Sequence, residues 1–329
     1  AEVSAGKFIG AKRRSEIYEV KKLTFNQEVK SEVISGMNRL PDCCKTAALS
    51  ALIKGAGSPG YSDGFTVDFR SNTPALADFA LSLLLPEWDT SVLYRKEGCF
   101  RLGNARVMLT RCGIISFENG LELVEGVPEC FLRKECCSKS YLKGIYLACG
   151  SVTAPIQKDM CESVKGKYHF ELSLPSVETA LDVINLLSDF DFEARLSCRG
   201  EKQLVYLKRS EDISDLLAFF GAQRAVLELQ SSIVIRTQRA EANRSMNCIA
   251  ANISRAAQSG VRQAEAVRKL EKAGLTDSLS DELKETALLR KMYPEANLSE
   301  LANLHKSAVS KSGLNHRLRL LEKMAEEIK

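Results

Sequence analysis

The chain has 329 residues, 45% hydrophobic and 27% charged, with a formal net charge of +4. That is enough to bury more than one core, in a composition typical of soluble globular proteins with no low-complexity tract. No apolar run approaches the ~18 residues needed to cross a bilayer as a helix.

Eleven cysteines lack any CxxC spacing, and the only histidines are His169, His305 and His316. This argues against a structural zinc site and against a disulfide framework. The adjacent pairs Cys43–Cys44 and Cys136–Cys137 read as packing residues with free thiols in a reducing cytosol.

In chain order, residues 1–23 have no apolar h-region and read as an N-terminal extension rather than a secretory signal. CCKTAALSALIKGAGS (43–58) is apolar and crowded with small residues, the composition of a buried helix that lets a second backbone approach closely. Strands are expected at 64–70, 91–95 and roughly 99–109, with helical periodicity at 75–85. FENGLEL (117–123) places an Asn-Gly turn between short apolar stretches.

The unit then repeats. CCSKSYLKGIYLACGS (136–151) aligns with the first helix at an offset of 93, with identical pairs Cys43/Cys136, Cys44/Cys137, Leu49/Leu142, Gly57/Gly150 and Ser58/Ser151. FTVDF (65–69) pairs with YHFEL (168–172) at an offset of 103, as do Leu83–Leu84 and Leu186–Leu187, so the second copy is ten residues longer between helix and strand. Its expected strands are 167–174, 192–198 and 202–207, with a helix at 177–188. The fold class is therefore α+β. A pseudo-two-fold domain with halves 24–127 and 128–230 holds the two small-residue helices side by side at its centre.

Residues 231–275 read as a helical connection, with a break near Ser259–Gly260 and a stop at Gly274. This segment carries eight basic residues against three acids. An all-α domain, 276–329, follows with three helices. The first covers roughly 280–292 before Pro294. The second is capped by Asn297 with Glu300 three residues later. The third is KSGLNHRLRLLEKMAEEI, capped by Ser310. A short helix, a turn and a longer basic helix make a helix-turn-helix pattern.

Phasing the third helix puts Leu314, Leu318, Leu321 and Ala325 on the inner face. Ser312, His316, Arg319 and Lys323 point outward, with Lys311 and Asn315 on one flank. Leu301 to Leu321 contains no acid. Asn and Arg read base edges while Lys and Ser suit phosphates. The DNA-contacting residues are thus expected among Lys306, Ser307, Ser310, Lys311, Ser312, Asn315, His316, Arg317 and Arg319.

Two helices ending in small residues and Gly-Ser, each followed by strands, resemble the LAGLIDADG homing-endonuclease fold. In that family the eighth motif position of each helix is an acid that holds divalent metal. Here those positions are Ala56 and Cys149. Neither is a carboxylate, and a lone thiol is a poor ligand for a hard ion. Asp63 and Asp159 lie several residues past the helix ends. No catalytic residue, metal or cofactor is therefore expected.

The whole chain from about Leu23 resembles the WhiA family of bacterial DNA-binding regulators. The resemblance is carried by LPDCCK (40–45), NRSMNC (243–248) with Ala251–Asn252, and above all VSKSGLNHRL (309–318). It implies a degenerate LAGLIDADG-like domain joined to a helix-turn-helix domain. It further implies roles in transcription control, cell division, chromosome segregation and, in species that sporulate, sporulation. Double-stranded DNA is the expected partner, in the cytoplasm at the nucleoid, with no membrane and no small-molecule substrate.

The alternative is an interaction scaffold whose pseudo-endonuclease domain binds a protein, with DNA contact secondary. A further option is that the sheets keep DNA affinity through Arg70, Arg95, Lys96, Arg101 and Arg106.

Overall fold

Thr24 accepts from the backbone N–H of Gln27, and the Gln27 side chain accepts from the Thr24 N–H at 2.9 Å. This reciprocal cap starts α1 (Phe25–Gly36). A computed structural model describes residues 23–61, 63–118, 120–156 and 166–328. The sequence expectations for residues 1–22, Asn119, Asp159 and most of the longer insertion at 157–165 lie outside the described residues.

The first copy runs α2 (Asp42–Ala56), β1 (Gly57–Tyr61), β2 (Phe65–Arg70), α3 (Pro74–Ser82), a 3-10 turn at Pro86–Trp88, β3 (Ser91–Lys96) and β4 (Cys99–Gly103). Next come α4 (Arg106–Arg111), the short antiparallel pair β5 (Ile115–Ser116) and β6 (Glu122–Leu123), and α5 (Glu129–Leu132). The second copy runs α6 (Glu135–Cys149), β7 (Gly150–Thr153), β8 (His169–Leu174), α7 (Val177–Ser188), β9 (Arg195–Arg199) and β10 (Lys202–Leu207), closed by α8 (Ser210–Phe220).

The two sheets have the same order, β1-β2-β4-β3 and β7-β8-β10-β9. Their registers match as well: Gly57 faces Phe69, and Gly150 faces Leu172. These are the offsets of 93 and 103 that relate the copies in sequence, so the longer insertion is absorbed between β7 and β8 without disturbing the pairing.

The core is built on α2 and α6. Cys44 Sγ lies 3.5 Å from the Cys136 carbonyl at the N-terminal ends, and a Cβ on Gly55 would lie 2.6 Å from Ala148 Cβ at the C-terminal ends. The helices therefore run in the same direction. A Cβ on Gly144 would sit 2.6 Å from the Ala48 carbonyl and 2.9 Å from Ala51 Cβ. Only glycine permits that separation. Tyr146, Phe170 and Phe220 stack beside the pair and fill the space between α6, β8 and α8.

Three expectations change. The strand expected to run to 109 stops at Gly103, because Asn104 adopts φ +51 and α4 follows. β1 and β7 were not expected. GSPGY is a poor strand sequence, yet β1 is an edge strand, where Pro59 leaves no central ladder position empty. The break expected near Ser259–Gly260 is absent: α9 (Gln223–Lys272) is one 50-residue helix.

The described residues form two compact units, dividing between Val234 and Ile235. α9 gives Ala225 and Leu229 to the core of the first, and Val267 and Leu270 to a core of the second. Gly274, at φ +68, follows its end, with a 3-10 turn at Leu275–Ser278. The second unit continues with α10 (Asp281–Met292), α11 (Leu298–Asn303) and α12 (Lys311–Glu326).

Gly260 serves packing rather than a break. A Cβ there would lie 2.1 Å from the Pro294 carbonyl. That turn is held by the buried Arg290, whose Nη1 donates to the carbonyls of Tyr293, Pro294 and Ala296 at 3.2, 3.3 and 2.8 Å. Among the described residues no helix is long and apolar enough to cross a membrane.

Candidate nucleic-acid interface

The C-terminal ends of α2 and α6 are where the endonuclease-like fold would carry its acids. Ala56 and Cys149 are both partly buried there, packed against the core. Cys149 Sγ donates to the Ile145 carbonyl at 3.1 Å, and burial pushes its thiol up to about 12. It is thus protonated at neutral pH and offers no anionic ligand.

The neighbouring cations are Lys30 and Lys54, and the acids Asp182 and Glu125 lie close to Lys54. Lys30 Nζ donates to the Leu147 carbonyl at 3.0 Å, and burial lowers its pKa. Lys54 Nζ donates to the Val124 carbonyl at 2.8 Å and also to Gly126, and burial lowers it to about 8. Asp63 sits exposed in the β1–β2 turn at φ +50, and Asp159 lies outside the described residues. A site for a hard divalent ion needs converging oxygen anions. The two motif positions themselves supply a methyl group and a protonated thiol, and Lys30 and Lys54 donate to backbone carbonyls beside them.

The second unit presents a different surface. Asn297 Oδ1 accepts from the N–H groups of Ser299 and Glu300, and Glu300 Oε2 accepts from the Asn297 N–H at 2.9 Å. This is the capping box read from the sequence, and it starts α11. Ser310 Oγ accepts from the Gly313 N–H at 3.1 Å and starts α12. Leu301, Leu314 and Leu318 form one small core, and Leu321 and Ala325 join another with Val267, Leu270 and Ala287. The inner face of α12 is therefore Leu314, Leu318, Leu321 and Ala325, as its periodicity predicts.

The expected contact residues divide by environment. Lys306, Ser307, Ser310, Lys311, Ser312, His316 and Arg319 are exposed, and Asn315 is half-buried on the flank. Lys311, Ser312, Asn315, His316 and Arg319 lie on one helix, from its first residue to just past its middle. Lys306 and Ser307 come from the turn before it.

Arg317 does not join that face. Its side chain is only 19% exposed, and its Nη2 donates to Glu282 on α10. Ser310 is exposed, but its hydroxyl oxygen is engaged as the cap. The acid-free stretch is thus not an acid-free region in space. Besides Glu282, Glu285 on α10 accepts the Lys306 backbone N–H at 2.9 Å and lies 3.4 Å from Nδ1 of the buried His305. Those donors, the Lys306 N–H first, hold the Glu285 carboxyl below its ordinary range. Sequence reasoning missed both glutamates because they sit one helix away. Their signal is their spacing: Glu282 and Glu285 are three residues apart and share one face of α10. Glu285 fixes the turn that carries Lys306 and Ser307, and Glu282 ties α12 to α10.

The basic residues of the first sheet are largely engaged. Arg101 makes a bidentate pair with Asp68 at 2.7 and 2.9 Å, and Arg95 meets Asp78 at 2.6 Å. Arg106 lies over the Phe117 ring, and Lys96 over Tyr94. Arg70 is exposed on β2.

The paired cysteines come together at the opposite ends of the central helices. The Sγ atoms of Cys43, Cys44, Cys136 and Cys137 lie within 4.8 Å of one another. In the sequence each pair reads separately as packing. The identical positions at an offset of 93 were the available signal, since a pseudo-two-fold axis between parallel helices must superpose them.

Comparison with known proteins identifies both domains. The family model described as the WhiA LAGLIDADG-like domain matches residues 138–239, and that of the WhiA C-terminal HTH domain matches residues 242–325. A "probable cell division protein WhiA" from Desulforudis audaxviator is 33% identical over 319 residues, covering 93% of this chain and 98% of that protein. Its counterpart from Oceanobacillus iheyensis is 31% identical, with 93% and 98% covered. The crystal structure of full-length WhiA from Thermatoga maritima superposes with a TM-score of 0.53 at 23% identity, covering 93% of this chain and 99% of that one.

Proposed function

The chain belongs to the WhiA family, and from that premise we propose that it is a sequence-specific DNA-binding regulator of cell division without nuclease activity. The observation that carries this reading is the division of α12 into a buried apolar face and an exposed face bearing Lys311, Ser312, Asn315, His316 and Arg319. The helix N-terminus adds its own positive end, favourable to phosphate.

In this reading α12 lies in the major groove. Arg319 and Asn315 reach base edges, and Lys311, Ser312, Lys306 and Ser307 hold phosphates. His316 lies between these sets. Ser310 shapes the helix start, and Arg317, tied to Glu282, braces α12 against α10 rather than touching DNA.

The first unit supplies a scaffold with no cleavage chemistry. Alanine and a protonated thiol stand at the two metal-binding positions, with lysines beside them. Incubation with plasmid and magnesium or manganese should give no cutting. Metal-dependent cutting abolished by Asp63→Asn would refute that part of the reading.

Genome-wide mapping of bound sites tests specificity. The wild-type protein should enrich a common sequence near cell-division genes, and Arg319→Ala should lose it. Unchanged sites in the variant would place recognition elsewhere.

A second reading rests on β3, where Val92, Leu93 and Tyr94 are exposed at a sheet edge. Such an edge suits a protein partner docking on the first unit. Val92→Ser that removes a co-purifying protein while DNA binding persists would favour it.

A further inference from the structure

The N-terminal ends of α2 and α6 hold four thiols with no other assigned purpose. Cys43 and Cys44 are the second and third residues of α2, and Cys136 and Cys137 hold the same places in α6. Cys43 Sγ and Cys44 Sγ are 3.9 Å apart, Cys136 Sγ and Cys137 Sγ 4.0 Å, and all four lie within 4.8 Å of one another. A disulfide needs about 2.05 Å, and each of the four is a free cysteine. A tetrahedral zinc ion with bonds of about 2.3 Å holds its sulfurs about 3.8 Å apart. The observed spacing is close to that edge length.

We propose that these four cysteines bind one thiophilic divalent ion, zinc, in a tetrathiolate site that clamps the two central helices together at their N-terminal ends.

Three further observations support it. First, the set of donors is all sulfur, which selects zinc or iron–sulfur centres over magnesium or calcium. A multi-iron cluster distributes its thiolates over separate irons and spreads them beyond this span, so the compact set fits a single ion.

Second, four thiolates around one divalent ion leave a net charge of −2. Two helix N-termini aim at that charge, and neither has a side-chain cap: Pro41 precedes α2 and Lys134 precedes α6. Uncapped N–H groups and the positive helix ends stabilise thiolates.

Third, the site is accessible yet anchored. Cys44 and Cys137 are buried, while Cys43 and Cys136 are exposed and give an ion a path in. An open pocket of about 520 Å³, lined by Asp42, Cys43, Trp88, Arg111, Cys130 and Cys137 among others, adjoins it.

Binding is written as Zn²⁺ plus four Cys–SH giving the tetrathiolate and four protons, with no redox step. The site sits at the far end of α2 and α6 from Ala56 and Cys149. The fold would thus lack a hard-ion site at one end of its central helices and carry a soft-ion site at the other.

The test uses the full chain, purified under reducing conditions and loaded with zinc, then dialysed and assayed for metal. About one zinc per chain should remain. Cobalt in its place should give the absorption bands of a tetrahedral tetrathiolate. The double variant Cys43→Ser/Cys136→Ser changes only exposed positions and should lower zinc affinity at least about 100-fold, while Cys198→Ser should leave it unchanged.

A readout that does not depend on the variant folding is alkylation of the wild type. Cys43 and Cys136 should be protected by zinc and released by chelator, with Cys198 and Cys248 reactive throughout. Zinc retained by the folded double variant would overturn the proposal. So would Cys43 and Cys136 reacting as fast as Cys198 in the presence of zinc, or a disulfide forming among the four when zinc is supplied.

Discussion

The central helix pair of the first unit and α12 of the second are both helices packed by small or branched apolar residues. They differ in what is left over after packing. In α2 and α6 the positions at the C-terminal ends, Ala56 and Cys149, are themselves taken up by the contact, and Gly55 and Gly144 leave no room beyond backbone separation. In α12 packing buries the face of Leu314, Leu318, Leu321 and Ala325, and the opposite polar face remains exposed. A helix end taken up by its partner can lose its chemistry and keep its fold. A helix packed on one face keeps the other for a ligand.

The contrast is broken most severely at Gly144. Gly144→Val drives side-chain atoms into the Ala48 carbonyl, which cannot yield as a side chain could. It should cost about 3 kcal/mol. Chemical denaturation followed by the fluorescence of Trp88, the only tryptophan, should show it. DNA affinity per folded molecule should stay within twofold, since α12 is untouched.

Arg290→Met probes the equivalent dependence in the second unit. It leaves the carbonyls of Tyr293, Pro294 and Ala296 without their donor and should cost about 2 kcal/mol. Far-UV circular dichroism should show earlier loss of helix while the Trp88 transition is unchanged.

Ser310 separates stability from recognition. Ser310→Ala should cost about 1 kcal/mol through the lost cap. Ser310→Asp should restore the cap and its stability, yet weaken DNA binding by placing a carboxylate where α12 meets phosphate.

A pH dependence at Lys54 tests the burial of charge beside the central helices. Its folded pKa, about 8, lies below its ordinary value of 10.5 because burial disfavours the charge. Between those values the unfolded chain binds more protons than the folded one, so stability rises with pH across the window. Below pH 8 the burial cost is present in full. Wild type should therefore gain stability relative to Lys54→Met between pH 8 and 10.5, as measured by paired unfolding curves. Parallel curves would show that the lysine is solvated.

Much of this was legible in the sequence where local chemistry decides. The inner face of α12, the Asn297–Glu300 box and the Ser310 cap depend on residues within four positions of each other. The central helix pair was legible because small residues recur at one offset in both copies. What was not legible depends on partners distant in sequence. GSPGY is a strand only because β2 offers it a ladder, and Gly260 stays helical because the Pro294 carbonyl needs its space. Glu282 pairs with Arg317 of α12, and Glu285 holds the basic turn, both from a neighbouring helix. The four thiols meet only through the two-fold relation of helices 93 residues apart. The Thr24–Gln27 box that starts α1 is a local signal that the periodicity reading passed over.

The most direct test of the account is the salt dependence of DNA affinity for wild type, Lys311→Ala and Arg319→Ala on one bound site. The affinity should fall steeply as salt rises. Lys311→Ala should flatten the log–log slope by about one unit. Arg319→Ala should cost about 1–3 kcal/mol on the preferred sequence and relax the choice of base at one position. Affinity without salt dependence, or unchanged in both variants, would contradict a DNA-reading role for the exposed face of α12.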